Sequence, residues 1–298
     1  MVMSVVIASF RDEEVLDACL ASLLPQCAGD AVELVVARAA GPASLAALTA
    51  AYPSVRFVSL PQGTDLPRIR GAGLAVASGQ LVALTEDHCV ADTAWVETMR
   101  RHVNGPADVV GGGMDNARQR RALDWGAFFA EYGFFSALGT RQAGAAPLIT
   151  GANVAYSRRV LDDVVTWMCD GGWENVVYDR LRASGATFVF EPAARIGQNL
   201  TYELGAFAAD RFRHGRDYAQ VRLAEAPGSN RWMRVAASLL LPPLLTWRVA
   251  RTATGSAGRA IAFIRALPFT FAFFAAWAAG EAVGYLHGPS TTPRGTVP

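Results

Sequence analysis

Residues Leu81–Trp95 read LVALTEDHCVADTAW. An apolar run ends in Glu86, Asp87 and His88, and the chain then turns polar. On an extended backbone residues two apart point the same way, so Glu86 and His88 form a pair with Asp87 between them. Two such donors can hold a divalent ion whose remaining shell is water and phosphate oxygen. Imidazole suits Mn²⁺ and heavier ions, whereas Mg²⁺ prefers oxygen, so Mn²⁺ is the expected ion. The plain alternative is a solvated turn that ends a strand, and spacing alone does not separate the two.

The elements around this stretch must then place it. Ser4–Ser9 is a short apolar run rich in β-branched residues, as in a buried parallel strand. Val15, Leu16, Cys19, Leu20, Leu23 and Leu24 recur at helical spacing after a start crowded with acids. Val32–Ala37 and Val55–Leu60 read as further strands, and RIRGAGLAVASG as a helix ending at Gly79. Gln80–Thr85 is a fourth strand, ADTAWVETMRRHV a helix, Asp108–Met114 another strand and ATFVFEP a late one. This alternation predicts an α/β domain with a mainly parallel sheet flanked by helices. Ligands in such sheets bind at the carboxyl ends of the strands, which is where Glu86–His88 lie.

Composition narrows the function. The chain has 298 residues, 52% of them hydrophobic, and a formal net charge of +1, which gives no footprint for nucleic acid. All of its basic residues are Arg. Cys19, Cys27, Cys89 and Cys169 form no CxxC pair, so neither a disulfide scaffold nor structural zinc is expected. MVMSVVIASF lacks a basic leader and reads straight into a strand, which predicts a cytosolic start. Trp95 and Trp125 read as core, and Gly111–Gly113 as a place of close backbone approach rather than a phosphate loop.

Four segments in order resemble a family 2 glycosyltransferase with the GT-A fold, of the membrane-associated bacterial type. They are SVVIASFRDEEVLDACLASLL, RIRGAGLAVASGQLVALTEDHCVADTAWVE, LITGANVAYSRRVL and WENVVYDRLRASGATFVFEP. The resemblance implies an inverting transfer of sugar from a nucleotide-sugar donor. It implies that Ala8, Ser9 and Phe10 line the nucleoside pocket, with Asp12 or Glu13 nearby. Arg70 would face the nucleotide, Glu86 and His88 would hold a divalent metal, and Asp87 would contact ribose or sugar. Gly151 and Asn153 would line the donor sugar and acceptor. Glu174 would be the catalytic base, deprotonating the acceptor hydroxyl.

The chain departs from the family pattern at four places. The family's second strand ends in acids, one of which binds uracil, and here Arg38 and Ala39 stand there. The DxD motif is ExH. The acidic pair is Glu174–Asn175. Gln198 stands near the place of a family His. A catalytically impaired relative that binds a nucleotide sugar or scaffolds partners is therefore a rival reading. A nucleotidyltransferase is disfavoured, because SVVIASFRDEE carries no Gly-rich phosphate loop.

Arg211, Arg213, His214, Arg216 and Arg222 form a basic cluster near the end of this region. It suits either the donor diphosphate, with Arg213 a candidate ligand, or anionic lipid head groups. The apolar excess follows it. Val235–Trp247 is short and split by Pro242–Pro243, so an interfacial or re-entrant segment is expected. Ala266–Leu286 is long enough to span, with Glu281 inside it. Arg248, Arg251, Arg259 and Arg265 between the two favour the cytoplasmic side. A soluble helical subdomain is the alternative. The expected organisation is a catalytic domain over 1–222, a hydrophobic helical membrane-associated region over 223–288, and a disordered tail over 289–298. A lipid-linked or envelope-glycan acceptor at the cytoplasmic face of the inner membrane would fit by analogy alone.

Overall fold

The computed structural model describes residues 2–29, 31–118, 120–136, 144–145, 148–225, 230–253 and 255–288. The expected tail over 289–298 lies outside them. In chain order the elements are β1 (Met3–Ser9), α1 (Glu13–Leu23), β2 (Val32–Ala39), α2 (Pro42–Ala51), β3 (Val55–Leu60), α3 (Leu66–Val76) and β4 (Leu81–Glu86). They continue with β5 (Cys89–Ala91), α4 (Trp95–Arg100), β6 (Val109–Asn116), α5 (Ala122–Tyr132), β7 (Gly144–Ala145), β8 (Asn153–Ser157), α6 (Arg158–Cys169), α7 (Glu174–Ala183) and β9 (Phe188–Gln198). The last are α8 (Leu204–Glu225), α9 (Arg231–Ser238), α10 (Leu241–Ala253) and α11 (Ala257–His287).

The sheet runs β3-β2-β1-β4-β8-β6-β9-β5, with β7 on β9. Its first half is parallel: β1 pairs with β2 and with β4, and β2 with β3. Each connection there contains a helix, as parallel strands require. Beyond β4 the pairs are antiparallel, β8 with β4 and β6, and β9 with β5 and β7. The sheet is therefore mixed. Strand β5 follows β4 after only Asp87 and His88, and its short run falls between the expected strand and the expected helix, sharing only Ala91 with the latter. Ala91 pairs with Ile196, and Asp92 caps the next turn through Trp95 N–H at 2.9 Å, so α4 begins only at Trp95. Val5, Val6 and Ile7 are fully buried, and Leu16, Leu20 and Leu23 of α1 are buried too, as the apolar spacing required.

The chain forms two compact units. Among the described residues, the first holds those up to Met114 and those from Gly144 to Asn199; the second holds Asp115–Ser136 and Leu200–Gly288. The sequence-based division after residue 222 falls inside α8. Within the second unit α11 packs along α8 and α5. Gly280 lets α11 approach closely: a Cβ there would lie 1.9 Å from the Phe212 carbonyl oxygen of α8. Pro242 and Pro243 stand in the first turn of α10, where a missing N–H costs nothing, and the chain breaks between α9 and α10 just before them. Helix α11 is long and apolar enough to cross a membrane by length and composition.

Candidate active site

Strand β1 has β2 on one side and β4 on the other, and the chain changes direction across the sheet between them. The crevice outside the carboxyl ends of such strands is the usual ligand position. Ala8, opposite both Ala37 and Glu86, marks this level in the sheet, and Ser9, Arg38 and Glu86–His88 cluster there.

Asp87 ties the crevice together. One carboxylate oxygen accepts the backbone N–H groups of Phe10 and Arg11, at 2.7 and 2.8 Å. Those bonds fix the loop that leaves β1, and the Phe10 ring stands edge-on to His88 with centroids 6.4 Å apart. Burial works against the charge on Asp87, but His88 and the two N–H groups outweigh it and hold its pKa below the ordinary carboxylate range. Asp12 carries the N-cap position of α1; its carbonyl accepts from Val15 and Leu16, and its side chain makes no cap bond.

Arg70, on the buried face of α3, is the centre of the charge network. It is 3% exposed, and it binds Glu86 at 2.5 Å with one terminal nitrogen and Glu174 at 2.7 Å with the other. Burial opposes its charge, and the two carboxylates outweigh that opposition, raising its pKa well above the ordinary guanidinium value. Gly151 packs on it: a Cβ at 151 would lie 2.8 Å from Arg70 Nη1, so only glycine leaves the guanidinium its place. Glu174 begins α7 and its side chain is 29% exposed, so the network runs from a buried end at Glu86 to an accessible end at Glu174.

His88 is buried, with Nδ1 3.5 Å from Glu86 Oε2 and 3.8 Å from Asp87 Oδ1. Burial alone would favour the neutral ring, but Cys89, Asp87 and Glu86 outweigh it and push its pKa well above the ordinary imidazole value. Asp87 Oδ1 is buried without a hydrogen-bond partner, because 3.8 Å is too long for one. Glu86 Oε2, His88 Nδ1 and this orphaned oxygen thus converge, and their chemistry fits a divalent ion. Among the described residues no three His, Cys, Asp or Glu side chains form a ready metal cage. An ion that bridges phosphates needs only one or two protein ligands. It would have to displace the proton from His88 to use its nitrogen.

Two predicted site residues are held by bonds within the protein. Asn153 is fully buried, donates to the Gly113 and Ala194 carbonyls at 3.0 and 2.9 Å, and accepts the Trp95 indole N–H at 2.9 Å. Its amide holds β6, β8, β9 and α4 in register, and Gly112 leaves room for it. Arg213 belongs to α8 of the second unit, where it pairs with Asp210. Gln198 ends β9 and is buried.

Arg38 has more to it than the sequence revealed. It is 6% exposed, and Nη1 donates to Ser9 Oγ at 2.6 Å and to the Arg11 carbonyl at 2.8 Å. No carboxylate among the described residues pairs with it, and its Nε is buried without a hydrogen-bond partner. The signal available was an arginine at the end of an otherwise apolar strand.

No curated protein matches the chain by sequence. Among solved structures it is similar to the mannosyltransferase PcManGT from Pyrobaculum calidifontis, solved in complex with GDP-Man and Mn²⁺. That match has 15% identity and a TM-score of 0.58, covering 95% of this chain and 86% of that one. It is also similar to residues 1–349 of S. aureus TarS, at 11% identity and a TM-score of 0.51, covering 91% and 90%. At these identities the likeness is one of fold, and both share the GT-A arrangement expected of the sheet. The family model for Glycosyl transferase family 2 matches residues 4–165, more than half of the chain. That match takes in β1, Arg70 and the Glu86–His88 turn, and with the shared fold it establishes that the chain belongs to glycosyl transferase family 2.

Proposed function

We propose that the chain transfers a sugar, with inversion, from a nucleotide-sugar donor to an acceptor hydroxyl. The observation that carries this reading is the Arg70 bridge, which joins the carboxylate at the end of β4 to the accessible carboxylate at the start of α7. Glu174 accepts the proton of the acceptor hydroxyl, whose oxygen forms a bond to the anomeric carbon. The bond from that carbon to the diphosphate oxygen breaks, and the nucleoside diphosphate leaves. Arg70 stands by to stabilise the charge that builds on the leaving group. Asp87 holds the Phe10–Arg11 loop against the nucleoside, and Arg38 meets the base.

A divalent ion would be held by Glu86 and His88, and when bound it supplies positive charge to the diphosphate. The imidazole favours Mn²⁺ over Mg²⁺. The acceptor is a lipid-linked or envelope glycan, with α11 and its neighbours at the cytoplasmic face of the inner membrane. The apolar length of α11 supports that placement.

A second reading has its own observation. Glu174 is occupied by Arg70 and is followed by Asn175, which suits a nucleotide-sugar-binding protein with impaired catalysis. One experiment separates the two. The full chain in detergent is incubated with UDP-, GDP- and dTDP-sugars and a membrane lipid extract, with Mn²⁺, Mg²⁺ or EDTA. Nucleotide release is recorded for the wild type, His88→Ala and Glu174→Gln. Release that depends on Mn²⁺ and is lost in both variants establishes the transferase mechanism. Donor binding by thermal shift without any release establishes the second reading.

A further inference from the structure

The second unit holds a cavity of about 340 Å³ at the start of α11. Arg120, Arg259 and Arg265 line it, and the sole acid among its lining residues is Asp115. Arg259 is 4% exposed and binds Asp115 at 2.5 Å through one terminal nitrogen. Its other two nitrogens, Nε and Nη1, are buried without hydrogen-bond partners, and the guanidinium carbon lies 6.0 and 5.9 Å from the Trp125 and Phe128 ring centroids. A buried guanidinium with two unused donors is costly unless an acceptor meets them.

The backbone adds to this charge. Ser256 caps α11 by accepting the Arg259 N–H at 3.3 Å, which leaves other first-turn N–H groups at the positive end of a 31-residue helix. Gly258, also lining the cavity, has nothing within 4 Å of where a Cβ would stand. A helix start, an open glycine and unused arginine donors together suit an anion with several acceptor oxygens. The wall also carries Trp125 and Ile261, and Ile261 is 58% exposed, as is the next outward residue Ile264 at 68%. An apolar strip therefore leads away from the charged end.

We propose that this cavity binds a phosphate group, and that the phosphate belongs to the head group of a membrane lipid whose acyl chains run along the Ile261 side of α11. The site shares no residue with the Arg70 crevice and does not depend on the catalytic reading.

The test is titration calorimetry on the full chain in neutral detergent. The probes are dioctanoyl phosphatidic acid, dioctanoyl phosphatidylcholine, inorganic phosphate and pyrophosphate. Phosphatidic acid is expected to bind at least about tenfold more tightly than inorganic phosphate, and phosphatidylcholine, whose phosphate is masked by choline, more weakly than phosphatidic acid. Arg259→Gln is expected to weaken phosphatidic acid by about tenfold or more. Because Arg259 is buried, the exposed pair Arg120→Gln/Arg265→Gln serves as a second variant, with the same expected direction and an unchanged melting temperature. If inorganic phosphate or pyrophosphate binds as tightly as phosphatidic acid, the anion site stands and its lipid source is overturned. If no phosphate probe binds, or binding is the same in both variants, the site itself is overturned.

Discussion

Arg70 and Arg259 are buried to the same degree, 3% and 4% exposed, yet they are satisfied differently. Arg70 has a carboxylate on each terminal nitrogen, Glu86 from 16 positions on and Glu174 from 104 positions on, and its Nε alone is buried without a hydrogen-bond partner. Arg259 has one carboxylate, the faces of Trp125 and Phe128, and two nitrogens with no hydrogen-bond partner. The first arrangement is closed at both terminal nitrogens and holds a crevice in shape before any ligand arrives. The second is open and is completed from outside. Burial alone does not tell these roles apart; the count of unused donors does.

The largest test of the closed network is Glu174→Gln. The amide still accepts from Arg70 but cannot take a proton. Turnover should fall by about 10²–10⁴-fold with donor binding retained, as expected for loss of a general base. Nucleotide release against donor affinity by calorimetry checks this. Unchanged turnover would leave Glu174 as a structural partner of Arg70 and nothing more.

Arg70→Met comes next. It strands Glu86, whose side chain is 5% exposed, and Glu174 beside it. Breaking a buried pair from one side costs about 3–5 kcal/mol. Urea unfolding of the full chain should show a loss of that size. A loss below about 1 kcal/mol would mean that the network relaxes freely and is not closed.

Which of these features the sequence displayed follows from the range of the interaction. The β1–α1 start and the acidic end of β4 are local patterns of apolar spacing and charge, and both were legible. Arg70 was named as a candidate by the family resemblance. Its bridge to Glu174 was not legible: Glu174 lies 104 positions away, and nothing local pairs the two. The bonding of Asn153 was hidden for the same reason, because its three bonds reach residues of three other elements. The antiparallel half of the sheet was obscured because β5 has only three residues. Arg259 was visible only as one of several arginines between apolar segments. Its cavity arises because Asp115 and Trp125, far back in the chain, are folded against the start of α11.

Arg259→Met sharpens the contrast with Arg70. The side chain of Asp115 is 22% exposed and keeps the Asn116 N–H at 2.8 Å, so it is not stranded in the same way. Removing a cation with two unused buried donors also removes their desolvation cost. The expected change is within about 1 kcal/mol, well short of the Arg70 value. The same urea series measures both. Equal losses for the two arginines would erase the distinction.

The smallest expected effect concerns His214 of the second unit and turns on sign. His214 is largely enclosed on α8, and its Nδ1 lies 2.7 Å from Arg211 Nη2. Since a guanidinium only donates, Nδ1 must be the acceptor, and the ring is neutral with its proton on Nε2. Burial, and then the charge of Arg211, hold its pKa below the ordinary imidazole value. The unfolded chain takes up a proton near pH ~6.5. The folded chain resists until a lower pH. Between those two values the unfolded state binds more protons, so stability rises with pH through the window and levels off above it. The opposite slope would be expected of a ring whose neighbours raise its pKa, as Cys89, Asp87 and Glu86 do for His88 in the first unit. Replacing His214 with Gln removes the titration and should flatten that part of the profile. Urea midpoints of the wild type minus those of the variant, taken from pH ~5 to ~8, isolate the effect from other groups. A difference that falls with rising pH, or none at all, would show that Arg211 does not set the charge state of its neighbour.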